Sequence, residues 1–104
     1  MRTTARQVQE SGGVEMPYFL IERNFAEDVE PHFGAFDEIN RINDAEGVRW
    51  LYSFLSLDRR KTFCLYEAPS ADVVRRAAVA AGLPADVVVE VTGTVTPDGA
   101  MASL

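Results

Sequence analysis

The stretch VRWLYSFLSLDRRKTFCLYEA, Val48 to Ala68, decides the fold. Residues 48 to 57 and 61 to 68 are dense in aromatic and β-favouring side chains, and the polar link Asp58-Arg59-Arg60 between them is hairpin-sized. The pattern predicts a long antiparallel hairpin. With a three-residue loop Leu57 faces Lys61, and that register sends Leu51, Leu55, Phe63 and Leu65 to one face of the sheet, where aliphatics suit a helix-covered core. The opposite face then receives Trp50, Tyr52, Phe54, Ser56, Thr62, Cys64 and Tyr66.

Towards the N-terminus, Pro17 to Phe25 alternates as a strand, with Phe19, Ile21 and Phe25 on one side and Tyr18, Leu20 and Glu22 on the other. Pro31 suits the first turn of a following helix, where its missing donor is harmless, and Phe33, Phe36, Ile39 and Ile42 recur at helical spacing until Gly47. Towards the C-terminus, Ser70 is a natural N-cap, Val73, Val74, Ala77, Ala78 and Ala81 form an apolar stripe, and Gly82 with Pro84 ends it. A last strand spans residues 86 to 92, with Val87, Val89 and Val91 on one face. The order β-α-β-β-α-β is that of an α+β, ferredoxin-like two-layer sandwich, in which right-handed crossovers place strands one and three centrally and both helices on one face. Residues 1 to 15 read as a flexible N-terminal extension, 16 to 92 as the ferredoxin-like domain and 93 to 104 as a flexible C-terminal tail; Met16 offers a second start beside Met1.

A chain of 104 residues, 47% apolar and 25% charged, holds one small core, which excludes a large multidomain enzyme. Ten basic against sixteen acidic residues give a net charge of −6, which argues against nucleic-acid binding and makes Arg59-Arg60-Lys61 a solvated turn tip. The acid concentrates between residues 22 and 46, a local field that attracts cations. A single cysteine, with no leader and no apolar run of membrane-span length, points to a cytoplasmic protein without a membrane partner. There is one histidine and no CxxC, HExxH, P-loop or GxGxxG, so no simple metal or nucleotide signature is present.

With both helices on the first face, the second would leave its aromatics exposed, together with Tyr18, Leu20, Glu22, Val88, Glu90 and Thr92. A homodimer packed sheet against sheet covers that face and encloses a small-molecule cavity lined by Tyr18, Trp50, Tyr52, Tyr66 and Glu90. Glu22 in a central strand must neutralise, pair or bind a cation. Cys64 is either a small core residue or a soft metal ligand, and His32 is either a solvated helix-start residue or a ligand beside Glu27, Asp28 and Glu30. Glu22, His32 and Cys64 are the candidate metal residues; carboxylate, imidazole and thiolate together suit nickel, copper or zinc. The alternative is a dimeric α/β-barrel enzyme or small-ligand-binding protein, with Tyr18, Tyr52, Tyr66 or Glu22 in acid–base roles; a dimer without a ligand is a third reading, and no residue is assigned a catalytic role.

The strings PYFLIERNF (17–25), GVRWLYSFLS (47–56), KTFCLYEAP (61–69) and AGLPAD (81–86) resemble DUF4242, a family of small bacterial proteins one of whose members is described as nickel-binding. The likeness covers residues 16 to about 92. It implies a ferredoxin-like fold, dimerisation and nickel as the metal, and it brings no catalytic activity. Residues 1 to 15 fall outside it, in keeping with Met16 as the start.

Overall fold

The computed structural model describes residues 16–29 and 33–104. The expected N-terminal extension, residues 1 to 15, lies outside the described residues, as do Pro31 and His32. The elements run β1 (Tyr18–Asn24), α1 (Phe33–Glu46), β2 (Arg49–Leu55), β3 (Lys61–Glu67), α2 (Ala71–Ala81), β4 (Val87–Val91), β5 (Gly93–Val95) and β6 (Met101–Ser103). The first four strands of the chain form an antiparallel sheet in the order β2-β3-β1-β4, with β1 and β3 central, and the two helices complete a mixed α+β domain. Among the described residues no helix is long and apolar enough to cross a membrane.

Local chemistry accounts for the helix ends. The Ser70 side chain accepts a hydrogen bond from the Val73 amide, and Gly82, at φ 70°, donates back to the last turn of α2. Gly47 likewise turns left-handed just past α1. Val74 and Ala77 of α2 form one buried cluster with Phe19, Ile21, Cys64 and Tyr66 of the central strands, and Ala78 is buried as well.

The register of the hairpin differs from the sequence expectation by one residue. Leu55 stands across from Thr62, and Phe54 across from Phe63. The Ser56 amide donates to the Lys61 carbonyl at 2.9 Å, so the loop runs from Leu57 to Arg60, with Arg59 at φ 62°. The Asp58 carboxylate fixes this longer turn by accepting from the Ser56 hydroxyl and the Arg60 amide. A second irregularity, a bulge between Trp50 and Tyr52, reverses the alternation near the start of β2.

Side chains alternate across a strand, so these shifts re-sort the two faces. Thr62, Cys64 and Tyr66 pair with Arg23, Ile21 and Phe19 on the helix-covered side, and Trp50 joins them across from Tyr66. Phe63 and Leu65, expected in that core, instead pair with Glu22 and Leu20 on the open face, beside Tyr52 and Phe54. In β4 the valines Val87, Val89 and Val91 share the open face with Glu22, Leu20 and Tyr18, while Glu90 pairs with Phe19 and belongs to the other side. Trp50, Cys64, Tyr66 and Glu90 are therefore not on the open face where the sequence reading put them.

The segment expected as a flexible tail forms a hairpin. Gly93 pairs with Ser103 and Val95 with Met101, around a turn in which Asp98 accepts from the Thr96 hydroxyl and the Ala100 amide. A Cβ at Gly93 would lie 2.2 Å from the Ala102 carbonyl oxygen, so the close approach of the two strands requires glycine there.

Candidate functional site

The register that turns Cys64 inward also places it in the wall of a cavity of about 310 Å³ between α1 and the sheet. Trp50, Ser53 and Leu55 of β2, Thr62, Cys64 and Tyr66 of β3, and Arg23 of β1 form its floor. Ala35, Phe36 and Ile39 of α1 form its roof, and Phe25, Val29 and Leu83 close its sides. Above the sheet α1 stands on Phe36, Ile39 and Ile42, all only half-buried, and the cavity is the space left beneath it.

The side wall is tied down by the arginines read from the sequence as a solvated turn tip. Amides of Phe25 and Val29 donate to the carbonyls of Arg60 and Arg59 at 2.8 and 2.6 Å. In return, the Arg59 guanidinium donates twice to the Val29 carbonyl, at 3.1 and 2.8 Å, and Arg60 donates to the Ala26 carbonyl at 2.6 Å. The β2–β3 turn thus holds the residue 25–29 loop in place by charge-assisted bonds to backbone.

Arg23 is the unusual group. Its residue is 4% exposed, yet among the described residues its guanidinium meets no carboxylate. It donates to the Pro84 carbonyl at 2.5 Å and to the Tyr66 hydroxyl at 3.4 Å, and lies 5.7 Å from the centre of the Tyr66 ring. Burial pushes the Tyr66 phenol pKa up, with the Arg23 charge opposing in part, so the hydroxyl keeps its proton at neutral pH. Tyr66 stacks with Trp50 at 6.4 Å, and the Trp50 indole donates to Ser53 at 2.9 Å. The Cys64 thiol lies 3.5 Å from the Thr62 hydroxyl.

The predicted metal residues separate. Cys64 faces the cavity, whereas Glu22 is on the open face, 3.1 Å from Lys61 Nζ and 3.3 Å from Asn24 Nδ2. Those two bonds hold the Glu22 pKa below its ordinary value against a small opposing effect of desolvation, and Lys61 answers its charge. His32 lies outside the described residues; in sequence it directly precedes α1, whose Ala35 and Phe36 roof the cavity. Among the described residues no group of three or more His, Cys, Asp or Glu side chains could hold a metal ion. One thiol with an arginine sharing its cavity does not by itself fit a divalent cation, which needs further donors.

The residues expected to line one cavity also divide. Trp50 and Tyr66 line the cavity under α1, within a single chain; Tyr18 and Tyr52 are on the open face; and Glu90 is exposed beside the C-terminal hairpin. Arg23 escaped the sequence reading, although the signal was there: it continues the inward series Phe19, Ile21 by one more step of two.

A family model described as nickel responsive protein SCO4226-like matches residues 19–91, from β1 through β4. That description differs from the DUF4242 name suggested by the sequence strings, and the two families are related. Among solved structures, the crystal structure of SCO4226 from Streptomyces coelicolor A3(2) superposes with a TM-score of 0.62 at 24% identity, over 71% of this chain and 94% of that one. The likeness establishes the fold. A search of curated proteins finds no match.

Proposed function

The chain belongs to the SCO4226-like family of nickel-responsive proteins, and from that premise we propose that it is a homodimeric, cytoplasmic protein that binds a divalent transition metal, nickel foremost. The observation that carries this reading is the position of Cys64, the only thiol in the chain, in a cavity roofed by the helix that His32 directly precedes in sequence. Thiolate and imidazole suit nickel, and donors beyond these two would have to come from outside the described residues or from a second copy. Glu22, on the other face and paired with Lys61, has no part in this set.

The open face supports the dimer. Tyr52 is 55% and Phe54 65% exposed there, on the same face as Leu20, Val87 and Val89, and Phe63 extends the same surface. Soluble monomers rarely leave so much contiguous apolar area in water, and a two-fold copy sheet against sheet removes it. The β2-β3-β1-β4 order supports the ferredoxin-like description, and with it this mode of association. Nickel titration by calorimetry on the wild type, Cys64→Ser and His32→Ala tests the metal reading; unchanged affinity and stoichiometry in both variants would refute it.

A further inference from the structure

We infer that the cavity between α1 and the sheet binds a small organic monocarboxylate, with Arg23 pairing its carboxylate and the aromatic wall holding its apolar body. This does not rest on the nickel reading.

Arg23 carries the inference. A guanidinium has donors for five hydrogen bonds and a full charge, and here it has two neutral acceptors, Pro84 O and Tyr66 Oη. A charge kept this far from water normally has an opposite charge beside it, because desolvation is costly and the neutral partners return only part of it. The counter-charge is missing among the described residues. Arg23 also lines an open volume of about 310 Å³, the lower end of the range for small-molecule sites, so the missing anion has room to arrive from outside.

The rest of the wall defines the ligand. Phe25, Phe36, Ile39, Trp50 and Leu55 present carbon, which selects an apolar body. One cation favours one negative charge, and the acidic stretch from residue 22 to 46 disfavours a polyanion such as a phosphate dianion. The planar fork of arginine matches a carboxylate in two parallel bonds, and the Tyr66 hydroxyl, which already accepts from Arg23, has its own proton to donate. A ring or a short branched chain bearing one carboxylate meets all of these demands.

Trp50, the only tryptophan in the chain, is in the wall and reports occupancy by its fluorescence. The full chain, with chelator present, would be titrated with benzoate, phenylacetate and isocaproate, and with benzamide and inorganic phosphate as controls. At least one carboxylate should bind once per chain, at least about tenfold tighter than benzamide or phosphate, as expected when a charge-assisted bidentate pair is lost. Arg23→Gln should remove at least about tenfold of that affinity and Arg23→Lys less. Should Arg23→Gln fail to fold, Ile39→Trp, which fills the cavity and leaves Arg23 in place, should abolish binding. Equal binding of benzamide and benzoate would overturn the inference, and so would binding that needs added nickel. It would also be overturned if none of the three carboxylates bound at millimolar concentration, and Glu30→Gln destabilising the chain as much as Arg23→Gln would then identify Glu30 as the counter-ion.

Discussion

Cys64 and Glu22 lie on opposite faces of the sheet although their strands are hydrogen-bonded neighbours: Ile21 stands across from Cys64, and Glu22 across from Phe63. The thiol and the carboxylate of one chain therefore cannot converge on one ion, and their variants should act independently.

Cys64→Ser should lower nickel affinity by at least about tenfold, since serine is close in size and a poor soft donor, and wild-type affinity should weaken as pH falls because the ligand binds as thiolate. Glu22→Gln should leave affinity within about twofold, because sites on separate faces are uncoupled. Calorimetric titration of both variants checks the pair; a matching loss in the two would mean that a second copy joins the faces.

Light scattering of the wild type at micromolar concentration should give twice the chain mass. Phe54→Lys places a charge on the β2 edge of the apolar face, next to Tyr52 at 5.7 Å between ring centres, and should yield a folded monomer. A wild-type monomer would contradict the dimer.

The acid limb of the stability curve should depend on Glu22. Its pKa is held below the ordinary 4.5 by Lys61 and Asn24, so the native state favours the ionised form. The resulting contribution is fully present above the unfolded pKa and is lost as pH falls through the lower folded one. Glu22→Gln should flatten the fall in urea midpoint between pH 5 and 3 and change little at pH 7. Asp58 and Asp98, both lowered by hydrogen bonds within their turns, add to the same limb in the wild type.

Phe19, 2% exposed at the centre of the core, should cost about 3–5 kcal/mol when cut to alanine. Ser70→Ala removes only the cap of α2 and should cost about 1 kcal/mol. Chemical denaturation separates the two, and a smaller loss at Phe19 than at Ser70 would mean that the packing described is not the source of stability.

The order of elements was legible because each boundary has its own local chemistry: Ser70 and Gly82 bracket α2, and Gly47 ends the run of α1. The sorting of faces was not. In β3 the run Phe63-Cys64-Leu65-Tyr66 is apolar on both sides, so no alternation distinguishes one register from the next, and Leu57, apolar like a strand residue, stands in the turn. The bulge before Tyr52 leaves no composition signal. Glu22 and Cys64 part company for the same reason, since both were assigned to one face of the sheet. The cavity is a property of how far α1 stands from the sheet, a distance that no pattern of residue types encodes.

Gly93 restricts what variation the chain can accept. Every missense change of a glycine codon installs a Cβ, and here that first atom meets the Ala102 carbonyl, a backbone group no rotamer can move aside. At Gly47 and Gly82 the space is open and the objection is only conformational, so asparagine is a workable replacement there. A saturation library sorted for folded protein should therefore return position 93 nearly monomorphic, in a segment whose composition alone would have marked it as free to drift.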